Sequence, residues 1–222
     1  AEYKDEFRSP YAAIQTSIGC QFKCNFCMIN LINKDDNSDY SLASDYNKMR
    51  HWSVGFVKKE IEKLVRLGVK TIRITDEMFL LNKKYYLPIL ENLRELNKND
   101  DLRLWAYSRI DTVPSPDVLK KVREAGIKWL ALGIESSSKD IRLEISKGRF
   151  EDVKVETVVR QIQHADINVM ANYIYGLPGD NKKTIENTYK LSEKLNTLGW
   201  NTYAAMALPG SPLYKNALIN GI

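Results

Sequence analysis

The sequence predicts an α/β fold built on a parallel sheet. Six short strand-like runs alternate with amphipathic helical segments along its 222 residues. The runs are rich in β-branched or aromatic residues and mostly lack polar residues at alternate positions, as buried parallel strands do. Charged, polar and glycine residues gather at the C-terminal end of each run, the edge at which such folds bind ligands. The pattern is compatible with a doubly wound sheet or with a full or partial (β/α) barrel.

The elements follow in order. YAAIQTS (11–17) reads as the first strand, and 28–52 is polar and reads as a long loop. SVGFVKKEIEKLVRLG is a helix with Ser53 as N-cap and Gly68 as its stop. TIRITD (71–76) is the second strand, followed by the helix KKYYLPILENLRELN, which Pro88 is expected to bend or to start. LRLWAYS (102–108) is the third strand, and Ser115–Pro116 form an N-cap and first-turn pair opening SPDVLKKVREAG. KWLALGIE (128–135) is the fourth strand, with the short helix KDIRLEIS and the longer EDVKVETVVRQIQHAD after it. INVMANYIYG (167–176) is the fifth strand and NKKTIENTYKLSEKLNTLG a helix. WNTYAAMALPG (200–210) is the last strand, before a helix beginning PLYKNALING.

Composition narrows the function classes. Nothing approaches the roughly 18 consecutive apolar residues of a membrane-spanning helix. The first ten residues have no apolar core of an export signal, so a cytoplasmic location is expected. The chain lacks an initiator Met and is expected to be a segment of a longer protein. Net charge is +5, from 33 basic and 28 acidic residues. That excess is spread along helix faces and does not point to nucleic acid.

All three cysteines stand in GCQFKCNFC (19–27), spaced C-x3-C-x2-C. Three thiols cannot all pair within the chain, and a disulfide scaffold is implausible for a domain of this size. Metal or redox chemistry is the better reading. A structural zinc site is usually closed by four ligands; no fourth Cys exists, His51 could close the site, and His164 falls within an expected helix and reads as a surface or packing residue. A [4Fe–4S] cluster is normally held by four cysteines, so three would leave one iron open to a substrate or cofactor. The strand ends add Asp76–Glu77, Ser108–Arg109–Ile110–Asp111, Glu135–Ser136, Asn172, Gly176–Leu177–Pro178–Gly179 and Pro209–Gly210–Ser211.

With this motif after a first strand and six βα repeats behind it, the chain resembles the radical S-adenosylmethionine (radical SAM) superfamily over essentially its whole length. The resemblance implies a partial (β/α)6, TIM-like barrel and a single radical SAM core domain over 1–222. It implies that Cys20, Cys24 and Cys27 hold three irons of a [4Fe–4S] cluster while SAM chelates the fourth. One electron then cleaves SAM to methionine and a 5′-deoxyadenosyl radical, which takes hydrogen from the substrate. By the same resemblance Phe26 packs near the adenine. Asp76–Glu77 lie where relatives often carry Gly-Gly-Glu beside the methionine ammonium; the glycine pair is absent here. Glu135 matches a position that contacts SAM, Lys147 one that pairs with its carboxylate, and Asn172 one that faces the ribose. Gly176 opens GLPG, like a turn that lets backbone approach the adenine. Ser108 and Arg109 are carried as cofactor-binding; for Arg109 the alternatives are SAM, the substrate, or a salt bridge with Asp111.

TSIGCQFKCNFCMIN, TDEMF, WAYSRID, WLALGIES and ALPGSPLY resemble the class whose full-length members carry a cobalamin-binding domain before the radical core. That class implies methyl transfer or another C–H functionalisation on a small metabolite. Partners implied are a small-molecule substrate and an electron donor such as flavodoxin or ferredoxin. The D-x-H-x-x-G loop of a cobalamin domain is not in the sequence, so cobalamin is implied only through a domain absent here. Alternatives are a methylthiotransferase-like enzyme modifying RNA or protein, and a non-enzymatic zinc-binding barrel.

Overall fold

Short strands and longer helices alternate as the hydrophobic pattern requires, in a computed structural model that describes residues 10–38, 41–146 and 153–221. The strands are β1 (Tyr11–Ile14), β2 (Ser17–Ile18), β3 (Arg50–His51), β4 (Thr71–Ile74), β5 (Arg103–Arg109), β6 (Ile127–Glu135), β7 (Asn168–Tyr175) and β8 (Gly199–Ala204). The helices are α1 (Val54–Arg66), α2 (Lys83–Leu96), α3 (Pro116–Glu124), α4 (Lys139–Ser146), α5 (Val155–His164), α6 (Lys182–Leu195) and α7 (Pro212–Ile219).

Among the described residues, six strands form one sheet in the order β1-β4-β5-β6-β7-β8, each neighbouring pair parallel. Spatial order follows chain order. A doubly wound sheet reverses its order at a switch point, so this is the unreversed progression of a partial (β/α)6 barrel. One face of the strands buries Ile72, Ile74, Leu104, Leu130, Leu132, Ile134, Val169 and Tyr173. The same core holds Val57 and Ile61 of α1, Leu119 and Val122 of α3, and Val159 and Ile162 of α5. The other face is left for chemistry. Register places Arg109, Gly133, Asn172 and Asn201 in one lateral row across β5 to β8.

Several elements differ from the sequence reading for identifiable reasons. The first strand stops at Ile14, because the amide two residues on, at Thr16, is taken by a side chain rather than by the ladder. Helix α2 begins after Asn82 and runs through Pro88. A proline inside a helix costs about 3 kcal/mol; here the buried stripe Tyr85, Tyr86, Ile89, Leu90 and Leu93 offsets it. Helix α6 ends at Leu195, earlier than its glycine at 199, because Asn196 adopts the left-handed conformation (φ 44°). Strand β8 ends at Ala204; beyond it the chain turns through Leu208 N–H to Met206 O and Ser211 N–H to Leu208 O. Ser53 caps α1 by accepting from the Phe56 amide at 3.2 Å, as read.

The described part of the polar 28–52 segment is structured. It carries 3-10 turns at Ile29–Asn33 and Ala43–Asp45, and β3 pairs antiparallel with β2. Buried Asn33 organises it: Nδ2 donates to Lys48 O at 2.7 Å and Tyr46 O at 3.2 Å, and Oδ1 accepts from Arg50 Nε at 3.0 Å. Asn33→Ala leaves two backbone carbonyls without that donor, at a cost of about 1–3 kcal/mol. Limited proteolysis of Asn33→Ala is expected to cut within 34–49 first, while urea unfolding of the barrel shifts only slightly.

Candidate active site

The site is built from the end of β4 outward. Asp76 is fully buried, and its carboxylate accepts from Thr16 N–H (2.6 Å), Thr16 Oγ1 (2.5 Å) and Ser17 Oγ (2.6 Å). Tyr85 Oη donates to Thr16 O at 2.7 Å from the other side. Burial raises the Asp76 carboxyl above the usual range, and the Thr16 and Ser17 donors oppose that rise. Four hydrogen bonds therefore fix the turn that leads into the cysteine loop.

The loop is held on several sides. Gly19 has φ +85°, and a Cβ there would stand 2.5 Å from both Asn33 Nδ2 and Lys48 O, so only glycine fits before Cys20. Buried Asn30 accepts from Cys20 N–H at 2.8 Å and donates to Phe22 O at 3.2 Å. Asn25 N–H bonds Ile145 O at the end of α4, and Asn25 O accepts from Leu213 N–H in α7, both at 2.8 Å.

Each thiol is met by an N–H donor: Phe22 N to Cys20 Sγ at 3.5 Å, Ile29 N to Cys27 Sγ at 3.5 Å, and Arg109 NH1 to Cys24 Sγ at 3.6 Å. The three cysteines are unpaired by disulfides. Burial raises all three thiols, Cys24 to about 12 against the opposing charge of Arg109. Iron must displace those protons. Among the described residues no three His, Cys, Asp or Glu side chains converge as ligands of a single metal ion. His51 packs edge-on against Tyr85, with ring centroids 4.3 Å apart, and neither it nor His164 lines the cysteine cavity. Three thiols on one loop, each with an N–H donor aimed at sulfur, fit the donor set of an iron–sulfur cluster.

The thiols open on a cavity of about 400 Å³. Of the residues singled out from sequence, Cys20, Cys24, Cys27, Phe26, Glu77, Ser108, Arg109, Glu135 and Asn172 line it. Glu77 Oε2 is buried with no hydrogen-bond partner among the described residues, and burial raises its carboxyl. Glu135 has φ +64°, in a register break of β6. Its Oε1 occupies the space that a Cβ on Gly133 would need, at 2.5 Å. Burial pushes its carboxyl up to about 7, against the pull of Arg109. Asn172 Oδ1 accepts from Asn201 Nδ2 at 3.0 Å, and Ser108 Oγ pairs with Thr112 Oγ1 at 3.0 Å.

Two expected positions stand elsewhere. Asp76 does not line the cavity, because its carboxylate is spent on Thr16 and Ser17. Gly176 is exposed, and the GLPG turn closes on Asp180, whose Oδ2 accepts from Gly176 and Leu177 amides at 2.9 and 3.1 Å. Lys147 lies outside the described residues. Sequence reasoning missed Phe22, Ile29, Met78, Tyr107, Ala131, Gly133, Ile174 and Tyr203, which also line the cavity. Strand alternation could have found some of them: Tyr107, Gly133 and Ile174 sit two positions from Arg109, Glu135 and Asn172.

Fold and site together define an α/β-barrel protein with a three-cysteine loop at the C-terminal edge of its sheet. The chain belongs to the radical SAM superfamily, whose family model matches residues 14–192. Members use a [4Fe–4S] cluster and SAM. The chain is 28% identical to an uncharacterised methyltransferase of Pyrococcus horikoshii, over 96% of this chain and 43% of that protein. It is 27% identical to the anaerobic magnesium-protoporphyrin IX monomethyl ester cyclase of Cereibacter sphaeroides, over 89% of this chain and 30% of that one. The chain thus spans less than half the length of these relatives. Its fold matches TsrM of Kitasatospora setae, a radical SAM methyltransferase solved with cobalamin and a [4Fe–4S] cluster, at TM-score 0.77 and 18% identity, covering 96% of this chain and 37% of that one. Among the described residues no helix is long and apolar enough to cross a membrane.

Glu135 gives a pH test. Its folded value of about 7 stands above the ordinary 4.5. Between those values the folded chain holds a proton the unfolded chain has lost, so stability falls as pH rises. For this group the loss is about 3 kcal/mol, complete above pH 7. In metal-free protein, Glu135→Gln is expected to flatten that part of the fall, read as urea midpoints at pH 5 and pH 8. Parallel curves for the two proteins would remove the assignment.

Proposed function

We propose that this chain is the radical core, over 1–222, of a longer enzyme that methylates or otherwise functionalises a C–H bond of a small metabolite with cobalamin bound elsewhere in the protein. The observation that carries the reading is convergence: three thiols, two half-buried carboxyl groups and Asn172 meet in one cavity. The names of its relatives, a methyltransferase and a tetrapyrrole cyclase, and the cobalamin in TsrM support the same class.

Cys20, Cys24 and Cys27 would hold the cluster, leaving one iron open to SAM. When bound, cluster and SAM supply one-electron cleavage chemistry. The chain's own residues bind and orient. Glu77 Oε2, buried without a partner among the described residues, would accept from the ammonium of SAM. Glu135 offers a second carboxyl group in the same cavity, and Asn172 and Ser108 are neutral hydrogen-bonding groups for hydroxyls. Phe26, Met78, Ile29, Ile174 and Tyr203 line the remaining, largely apolar wall. The electron comes from a donor such as flavodoxin or ferredoxin in the cytoplasm. A mild net charge of +5 favours a small substrate over nucleic acid.

Anaerobic reconstitution is expected to yield about four irons and four sulfides per chain, with an EPR spectrum of the reduced form that shifts on adding SAM. Cys24→Ala abolishes loading and keeps the helical CD of the barrel. Zinc in place of iron and sulfide, or a spectrum indifferent to SAM, rejects the reading. Glu77→Gln should load iron normally yet bind SAM about 10- to 100-fold more weakly, the value of one charge-assisted hydrogen bond.

A further inference from the structure

Arg109 does something that SAM binding does not require. Its side chain and that of Asp111 are only 7% and 9% exposed, and the two are joined by a bidentate pair, Nε to Oδ1 at 2.6 Å and NH2 to Oδ2 at 2.5 Å. The remaining nitrogen, NH1, is turned to Cys24 Sγ at 3.6 Å. The guanidinium lies 3.6 Å from the centre of the Phe22 ring, and the Phe22 amide itself donates to Cys20 Sγ at 3.5 Å. Carboxylate and ring therefore hold one cation against one particular thiol. Residues 109 and 111 belong to the end of β5 and the 3-10 turn Ile110–Thr112, so the barrel rather than the cysteine loop supplies the charge.

We propose that Arg109 and Asp111 form an opposed charge pair that sets the reduction potential of the cluster, acting as positioning residues through Cys24. The proposal rests on the cluster reading above. Accepting one electron makes the cluster more negative. A buried cation donating a hydrogen bond to a ligand sulfur favours that state, and a buried carboxylate beside it disfavours that state; low local dielectric enlarges both effects. Asp111 thus does two things at once. It orients the guanidinium, with Phe22 as its floor, and it offsets part of the cation's pull on the electron. An arginine without its carboxylate would make the cluster easier to reduce, and a carboxylate without its arginine would make it harder.

The test is an EPR-monitored titration with dithionite of the reconstituted full chain, comparing wild type with Arg109→Gln, Arg109→Lys and Asp111→Asn, after iron and sulfide have been counted in each. At the wild-type midpoint poise, Arg109→Gln should lower the ratio of reduced to oxidised cluster about tenfold, equivalent to ~59 mV for one electron. Asp111→Asn should raise the ratio, and Arg109→Lys should fall between wild type and Arg109→Gln. Residues that merely prop the loop would alter loading, or shift both variants in one direction. Shifts of the same sign in Arg109→Gln and Asp111→Asn, or unchanged potentials in both, overturn the proposal. Should Arg109→Gln fail to fold or load, Asp111→Asn alone decides, and an unchanged or lowered potential there overturns it. A wild-type chain that takes up no iron and sulfide overturns the cluster reading and this proposal together; unmoved potentials on a loaded chain overturn this proposal alone.

Discussion

A buried carboxylate at the end of one strand governs how the cysteine loop leaves the strand beside it. Asp76 takes three hydrogen bonds from Thr16 and Ser17, and those bonds end β1, start β2 and set the direction in which residues 19–27 run. Burying a carboxyl is costly unless its oxygens are hydrogen-bonded, and the bonds formed are local and directional. The energy that satisfies Asp76 is the same energy that positions the loop. Tyr85 completes the arrangement from α2 through Thr16 O, so a helix, a strand end and a turn share one small network.

The cavity above the sheet follows the opposite rule. Glu77 Oε2 has no partner among the described residues, Glu135 sits at a left-handed backbone position, and burial raises both carboxyl groups. Such features lower stability and are concentrated where a ligand can relieve them. Adjacent residues 76 and 77 thus divide the work: the first is saturated by protein donors, the second keeps one oxygen, Oε2, without a partner among the described residues. The strands on either side supply a rigid frame, since β5, β6 and β7 are paired along most of their length and pack on the helix layer.

Much of this was legible in the sequence because periodicity and local chemistry carry it. Buried parallel strands announce themselves as apolar runs, and the clustering of Glu77, Arg109 and Glu135 at strand ends follows from where the strands stop. The role of Asp76 was not legible. An acidic residue ending a strand reads alike whether it faces a ligand or bends back to the next strand, and only the register of β1 against β4 decides between them. The order in the 28–52 segment was hidden for a related reason. Asn30 and Asn33 are polar residues in a polar stretch, and their buried amides act on backbone groups up to 15 residues away. Likewise the early stop of α6 depends on the αL backbone of Asn196, a conformation that asparagine tolerates but does not dictate.

The protein, on this view, builds the cysteine loop before any iron arrives. Hydrogen exchange of the metal-free chain tests that most directly. The amides of Thr16, Cys20 and Asn25 donate to Asp76, Asn30 and Ile145. They should exchange slowly in the absence of iron and sulfide, close to the amides of β5 and β6, and change little on reconstitution. Exchange at the rate of an open loop, slowing only once the cluster is loaded, would show instead that the cluster organises the loop.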